Sequence, residues 1–75
     1  MPYEIIVTIK NEIKKINDVG PPSKRLPSEI QCYTVLGFVQ QYFEMNDDDH
    51  SISNIQYYRN SCKLYDWNFD HGRLV

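Results

Sequence analysis

The chain has 75 residues and a formal charge of −2, from 8 Lys and Arg against 10 Asp and Glu, which limits it to one small, nearly neutral domain over residues 1–75. A domain of this size buries only about 60% of the surface its unfolded chain exposes, so its core is thin and depends on good packing, a partner or a cross-link. At 41% hydrophobic and 13% aromatic it is too apolar for a disordered tail.

The longest apolar run is three residues, Ile5 to Val7, where a membrane helix needs about 20. Residues 1–20 lack the basic start, apolar stretch and small-residue site of a secretory leader. The expected setting is therefore cytoplasmic, in a host cell if the gene is phage-borne. The chain contains no alanine, while Ile, Asn, Tyr, Asp and Lys are plentiful. Every alanine codon begins GC, so this composition fits an AT-rich genome, a phage or a mobile element.

From the N-terminus, Tyr3-Glu4-Ile5-Ile6-Val7-Thr8-Ile9 is dense in β-branched residues and reads as a strand. Asn11-Glu12 is expected to turn it into a second strand over Ile13 to Asn17; a helix through Ile5, Ile9, Ile13 and Ile16 is the competing reading. Residues 18–25, with Gly20, Pro21, Pro22 and Ser23, have the chemistry of a surface loop.

A helix is expected from about residue 29 to 45. Pro27 arrests what precedes it, and Ser28 followed three residues later by Gln31 has the pattern of a capping box. Cys32, Val35, Leu36, Val39, Tyr42 and Phe43 then recur at helical spacing and are expected to face the core. Asp47-Asp48-Asp49 would lie badly against the negative end of the helix dipole, so residues 46–51 are read as an acidic loop.

Residues 52–59 and 62–69 are expected to form a hairpin around Asn60-Ser61, because Tyr65, Trp67 and Phe69 alternate with Leu64, Asp66 and Asn68. A helix placing Ile52, Ile55, Tyr58, Arg59, Cys62 and Tyr65 on one side competes with it, since Asn-Ser is a weaker turn than Asn-Gly. Residues 70–75 are expected to fray. The resulting fold class is α+β: one central helix packed on a small antiparallel sheet built from N- and C-terminal hairpins.

Few residues carry chemistry. Cys32 and Cys62 are expected to be reduced thiols, and with His50 and His71 they lack the close paired spacing of a zinc site. Aligning Asp47 as the first ligand of a calcium loop puts Ile52 where the turn needs Gly and Tyr58 where it needs a bidentate Glu. No glycine-rich phosphate loop, nucleophile elbow or paired-carboxylate cleft is recognisable. The expectation is a non-enzyme with no cofactor, no metal and no catalytic residues.

Charge is uneven along the chain. Lys10, Lys14, Lys15, Lys24 and Arg25 outweigh Glu4, Glu12 and Asp18 in the first 28 residues, leaving an acidic remainder. The basic edge, with Tyr57, Tyr58, Tyr65 and Trp67 as stacking platforms, offers one reading: a small nucleic-acid-binding regulator. The acidic end, with Glu44, Asp47, Asp48, Asp49, Asp66 and Asp70, offers the converse, carboxylates presented to a basic groove on another protein.

The rear of the central helix weighs most. Ile30, Thr34, Phe38, Gln41 and Met45 lie opposite the core stripe, with Gly37 beside them. A single helix on a small sheet leaves that side uncovered unless the terminal segments wrap around it, and aromatic residues and Met are enriched in interface cores. The function expected from the sequence is a protein-protein interaction module, with a homodimer and a small phage or mobile-element inhibitor of a host defence or nucleic-acid-handling machine as the concrete forms it suggests. Its partner-binding residues are Ile30, Thr34, Phe38, Gln41, Met45, Asp47, Asp48, Asp49, Tyr65 and Trp67. The nucleic-acid regulator is the alternative.

Overall fold

In the computed structural model, which describes residues 3–23 and 25–75, one helix packs on a five-stranded antiparallel sheet. The elements run β1 (Tyr3–Ile9), β2 (Glu12–Val19), α1 (Ser28–Tyr42), β3 (Ile52–Arg59), β4 (Cys62–Asp70) and β5 (Arg73–Leu74). The sheet order is β2-β1-β3-β4-β5. The expected α+β architecture is thus the observed one. Lys24, counted above in the basic edge, lies outside the described residues.

Both long hairpins close through two residues at positive φ, as a type I′ turn requires: Lys10-Asn11 and Asn60-Ser61. The first turn sits one residue before the expected Asn11-Glu12, because Ile9 pairs with Glu12. A third tight turn, His71-Gly72, corrects the expectation of a frayed tail. It folds Arg73–Leu74 back onto Asp70 and Phe69, and the Leu74 N–H donates to the Tyr33 hydroxyl at 3.1 Å. Gly72 is required here: its φ is +79°, and a Cβ would stand 2.7 Å from the His50 ring.

Burial follows position in the sheet. β1 is flanked on both sides, and its alternate residues Ile5, Val7 and Ile9 point under the helix. β2 is an edge, so only Ile16 is buried while Lys14 and Lys15 remain exposed, a composition that discourages pairing with another chain. The core joins these residues to Cys32, Val35, Leu36 and Val39 of α1, Ile52, Ile55 and Tyr57 of β3, and Trp67 and Phe69 of β4. The opposite sheet face is polar. Asn54 Nδ2 there donates to Asp66 at 2.7 Å and Asn68 at 3.0 Å, and Lys63 pairs with Asp66 at 3.0 Å.

The helix ends differ from expectation. Ser28 is the first helical residue, Pro27 occupies the cap position, and no side chain caps the N-terminus; the Gln31 N–H bonds instead to the Pro27 carbonyl at 2.9 Å. With Ser28 inside the helix, the expected capping box with Gln31 does not form. At the other end the helix stops at Tyr42, before the expected 45. Glu44 stands at φ 55°, its N–H bonded to the Gln41 carbonyl and that of Met45 to the Gln40 carbonyl, a Schellman motif.

Candidate functional site

The Schellman turn redirects the chain, and with it the side chains expected on each face. Phe43 and Met45 are carried back against the core, so Met45, expected on the open face, is half-buried there. Tyr42, expected in the core, is 55% exposed. Its ring lies 6.3 Å from Phe38 and 5.0 Å from Phe43, at the end of the helix where the sheet no longer covers it.

The exposed helix face is therefore a row at four-residue spacing. Ile30 (53% exposed), Thr34, Phe38 (44%) and Tyr42 share one side of α1. Gln41 is exposed next to Tyr42, and Gly37 is open, with nothing within 4 Å of where its Cβ would stand. No terminal segment among the described residues wraps this side. Residues 73–74 pair with the far strand instead.

Acidic groups stand at both ends of the row. Glu29 occupies the first helical turn and Glu44 follows the last, which contains no basic residue. Beyond Glu44, the Asp49 N–H closes a turn onto the Asn46 carbonyl at 3.0 Å, leaving Asp47 and Asp48 at its exposed tip. Asp49 is half-buried and turned inward: its carboxylate accepts from the Ser51 hydroxyl and, at 3.1 Å, from the Ser51 N–H. Those bonds hold its pKa below the ordinary carboxylate value. Asp49 thus serves its own loop, whereas Asp47 and Asp48 are free to face outward.

Tyr65 and Trp67 lie elsewhere. Trp67 is 5% exposed and stacks on half-buried Tyr65, with ring centroids 5.0 Å apart. Tyr65 meets Tyr57 edge-on at 6.5 Å, and Tyr57 meets Tyr3 at 6.1 Å. This aromatic row crosses the sheet on the helix side, so Trp67 is a core residue and not a presented one. The same placement denies Tyr57 and Trp67 to a base-stacking platform. Of the basic edge, Lys15 pairs with Glu4 at 3.0 Å, and Lys14 sits 5.8 Å above the Phe43 ring.

Beside the exposed row a cleft of about 280 Å³ opens between α1 and the segment after β2. Ile5, Val19, Leu26, Val35, Phe38 and Tyr57 supply its apolar walls, and Thr34 and Gln31 also line it. Burial, then the nearby Tyr3, pushes the Tyr57 hydroxyl above its ordinary pKa. It stays protonated and donates to the Gly20 carbonyl, fixing the segment that forms one wall. Gln31 was missed in the sequence as a site residue. It is 3% exposed, and its Nε2 has no hydrogen-bond partner among the described residues. The signal was positional: Gln31, Val35 and Val39 follow four-residue spacing, so a helical projection sets Gln31 beside the core despite its polarity.

Cys32 is buried and Cys62 exposed, and both are free thiols. Desolvation, with the Glu29 charge added, raises the Cys32 pKa and keeps it protonated. Among the described residues no three His, Cys, Asp or Glu side chains are grouped to hold a metal ion, and no helix is long and apolar enough to cross a membrane. The chain matches no protein-family model, no curated protein and no solved structure.

Proposed function

We propose that the chain is a non-catalytic protein-interaction module that docks a partner protein through the outer row of α1. The observation carrying this reading is the exposure of Ile30, Phe38 and Tyr42 together on one side of the helix, with none of the described residues laid over them. Single exposed apolar residues are common, but a contiguous row of them marks an interface.

Charge favours a basic partner surface at one end of the row. Glu44, Asp47 and Asp48 make its C-terminal end acidic, whereas Glu29 at the other end follows exposed Arg25. Pairing two such helices in parallel about a two-fold axis would set the acidic ends against each other. The favoured partner has an apolar centre and a basic rim, which speeds association and rejects like-charged surfaces. An inhibitor that occupies the basic groove of a nucleic-acid-handling machine would meet this description.

The test is a comparison of the wild-type chain with a Phe38→Ser/Tyr42→Ser variant. Partner capture from native cells should be lost in the variant, while its circular dichroism and melting temperature stay close to wild type. Unfolding of the variant, or undiminished capture, would overturn the proposal. A dimer in sedimentation analysis that the variant abolishes would replace it with self-association.

A further inference from the structure

We infer that the cleft beside α1 is a recognition pocket for one apolar side chain of a partner segment, with Gln31 Nε2 donating to a main-chain carbonyl of that segment. The inference rests on the protein-docking reading above and names the chemistry that the docking requires. Phe38 and Thr34 belong both to the exposed row and to the cleft lining, so a segment lying along the row passes over its mouth.

Four observations choose this occupant. Among the described residues Gln31 Nε2 is the only buried side-chain nitrogen or oxygen without a hydrogen-bond partner. Buried amides are almost always satisfied, so an enclosed, unpaired one on a residue that lines the cleft points to an acceptor supplied from outside, reached by a turn of the Gln31 amide toward the cleft. Two neighbouring polar groups are already engaged: the Thr34 hydroxyl donates to the Ile30 carbonyl at 3.0 Å, and the Gly20 carbonyl accepts from Tyr57.

The acceptor is neutral. None of the described lining residues is charged, so a carboxylate or phosphate drawn into this cleft would lose its hydration with no cation among them to replace it. A peptide carbonyl meets the need of Gln31 without that cost. The volume of about 280 Å³ lies just below the range of pockets built for drug-sized ligands, about 300–1,000 Å³. It suits a leucine- or phenylalanine-sized side chain with its flanking peptide group.

The full 15N-labelled chain tests this without knowledge of the partner, with N-acetyl-leucinamide and N-acetyl-phenylalaninamide as probes. The capped amides should shift the Gln31 side-chain NH2 resonances, with dissociation constants on the order of 1–10 mM for ligands of this size. Gln31→Leu and the closer isostere Gln31→Met should weaken them about fivefold, the loss of one neutral hydrogen bond, while toluene, which has no acceptor, binds as before. No movement of the Gln31 resonances, equal weakening of toluene and the amides, or tighter binding of 4-methylvalerate would overturn the inference. Failure of the amides while Phe38→Ser/Tyr42→Ser still abolishes capture would remove the pocket and leave the helix-row proposal standing.

Discussion

The N–H of Met45 donates to the carbonyl of Gln40 at 2.8 Å, and between them Glu44 is held in the left-handed region at φ 55°. A position of this kind favours glycine, since an L side chain there costs roughly 1–2 kcal/mol. The Glu44 carboxylate also faces the negative end of the helix dipole. Glu44→Gly should therefore stabilise the domain by about 1 kcal/mol, a rise in melting temperature of roughly 4–8 °C for a chain of this size. Thermal unfolding followed by circular dichroism measures it, and an unchanged or lower midpoint would contradict this account of the helix end.

Gly37 presents the opposite case. It lies inside α1, and a Cβ there meets nothing within 4 Å. The fold gains nothing from glycine at this position, so Gly37→Ala should raise stability by about 0.5–1 kcal/mol through helix propensity. If the partner approaches closely over this residue, the same substitution weakens capture. Denaturant melts and capture assays on one preparation read both effects.

The two thiols should separate in reactivity. Cys62 is exposed and Cys32 is buried with its pKa raised. A chromogenic aromatic disulfide should label Cys62 at once in the native protein and Cys32 only after denaturant is added. Rapid labelling of Cys32 in the native chain would show that α1 opens far more readily than its packing implies.

Acid should weaken the fold through the polar face of the sheet. The Asn54 amide and then Lys63 hold the Asp66 pKa below its ordinary value. A depressed carboxylate contributes stability above its unfolded pKa of about 3.9 and loses that contribution as pH falls through the lower folded value. Asp66→Asn should thus melt below wild type at pH 6, with the gap closing toward pH 2. A gap independent of pH would mean that Asp66 acts through packing alone.

Most of the fold was legible in the sequence, for reasons that also explain the misses. Tyr65, Trp67 and Phe69 alternate as a strand must, and they lie on the helix-facing side as that period dictates. Reading Tyr65 and Trp67 as partner contacts as well went against that alternation, and burial of Trp67 shows which signal prevailed. Cys32, Val35, Leu36 and Val39 obey the helical period. The period failed at Tyr42 and Met45 because the helix ends between them, and a backbone reversal carries no hydropathy signature when its left-handed residue is a glutamate. The C-terminal strand was missed for a related reason: two residues are too few to show alternation, and only the His71-Gly72 turn betrays it.

The arrangement of the strands also sets how the chain can be divided. β1 and β3 lie side by side at the centre, paired from Tyr3 with Arg59 to Ile9 with Ile52, although α1 and β2 separate them in sequence. The exposed Asp47-Asp48 tip is thus a natural scission point. Residues up to 47 carry one hairpin and the helix, and those from 48 on carry the remaining strands. Their shared seam is a hydrogen-bonded ladder, in register from Tyr3 to Thr8 and shifted by one residue at Ile9, with apolar side chains beneath it, so the two pieces, expressed apart, should complement one another into the same domain.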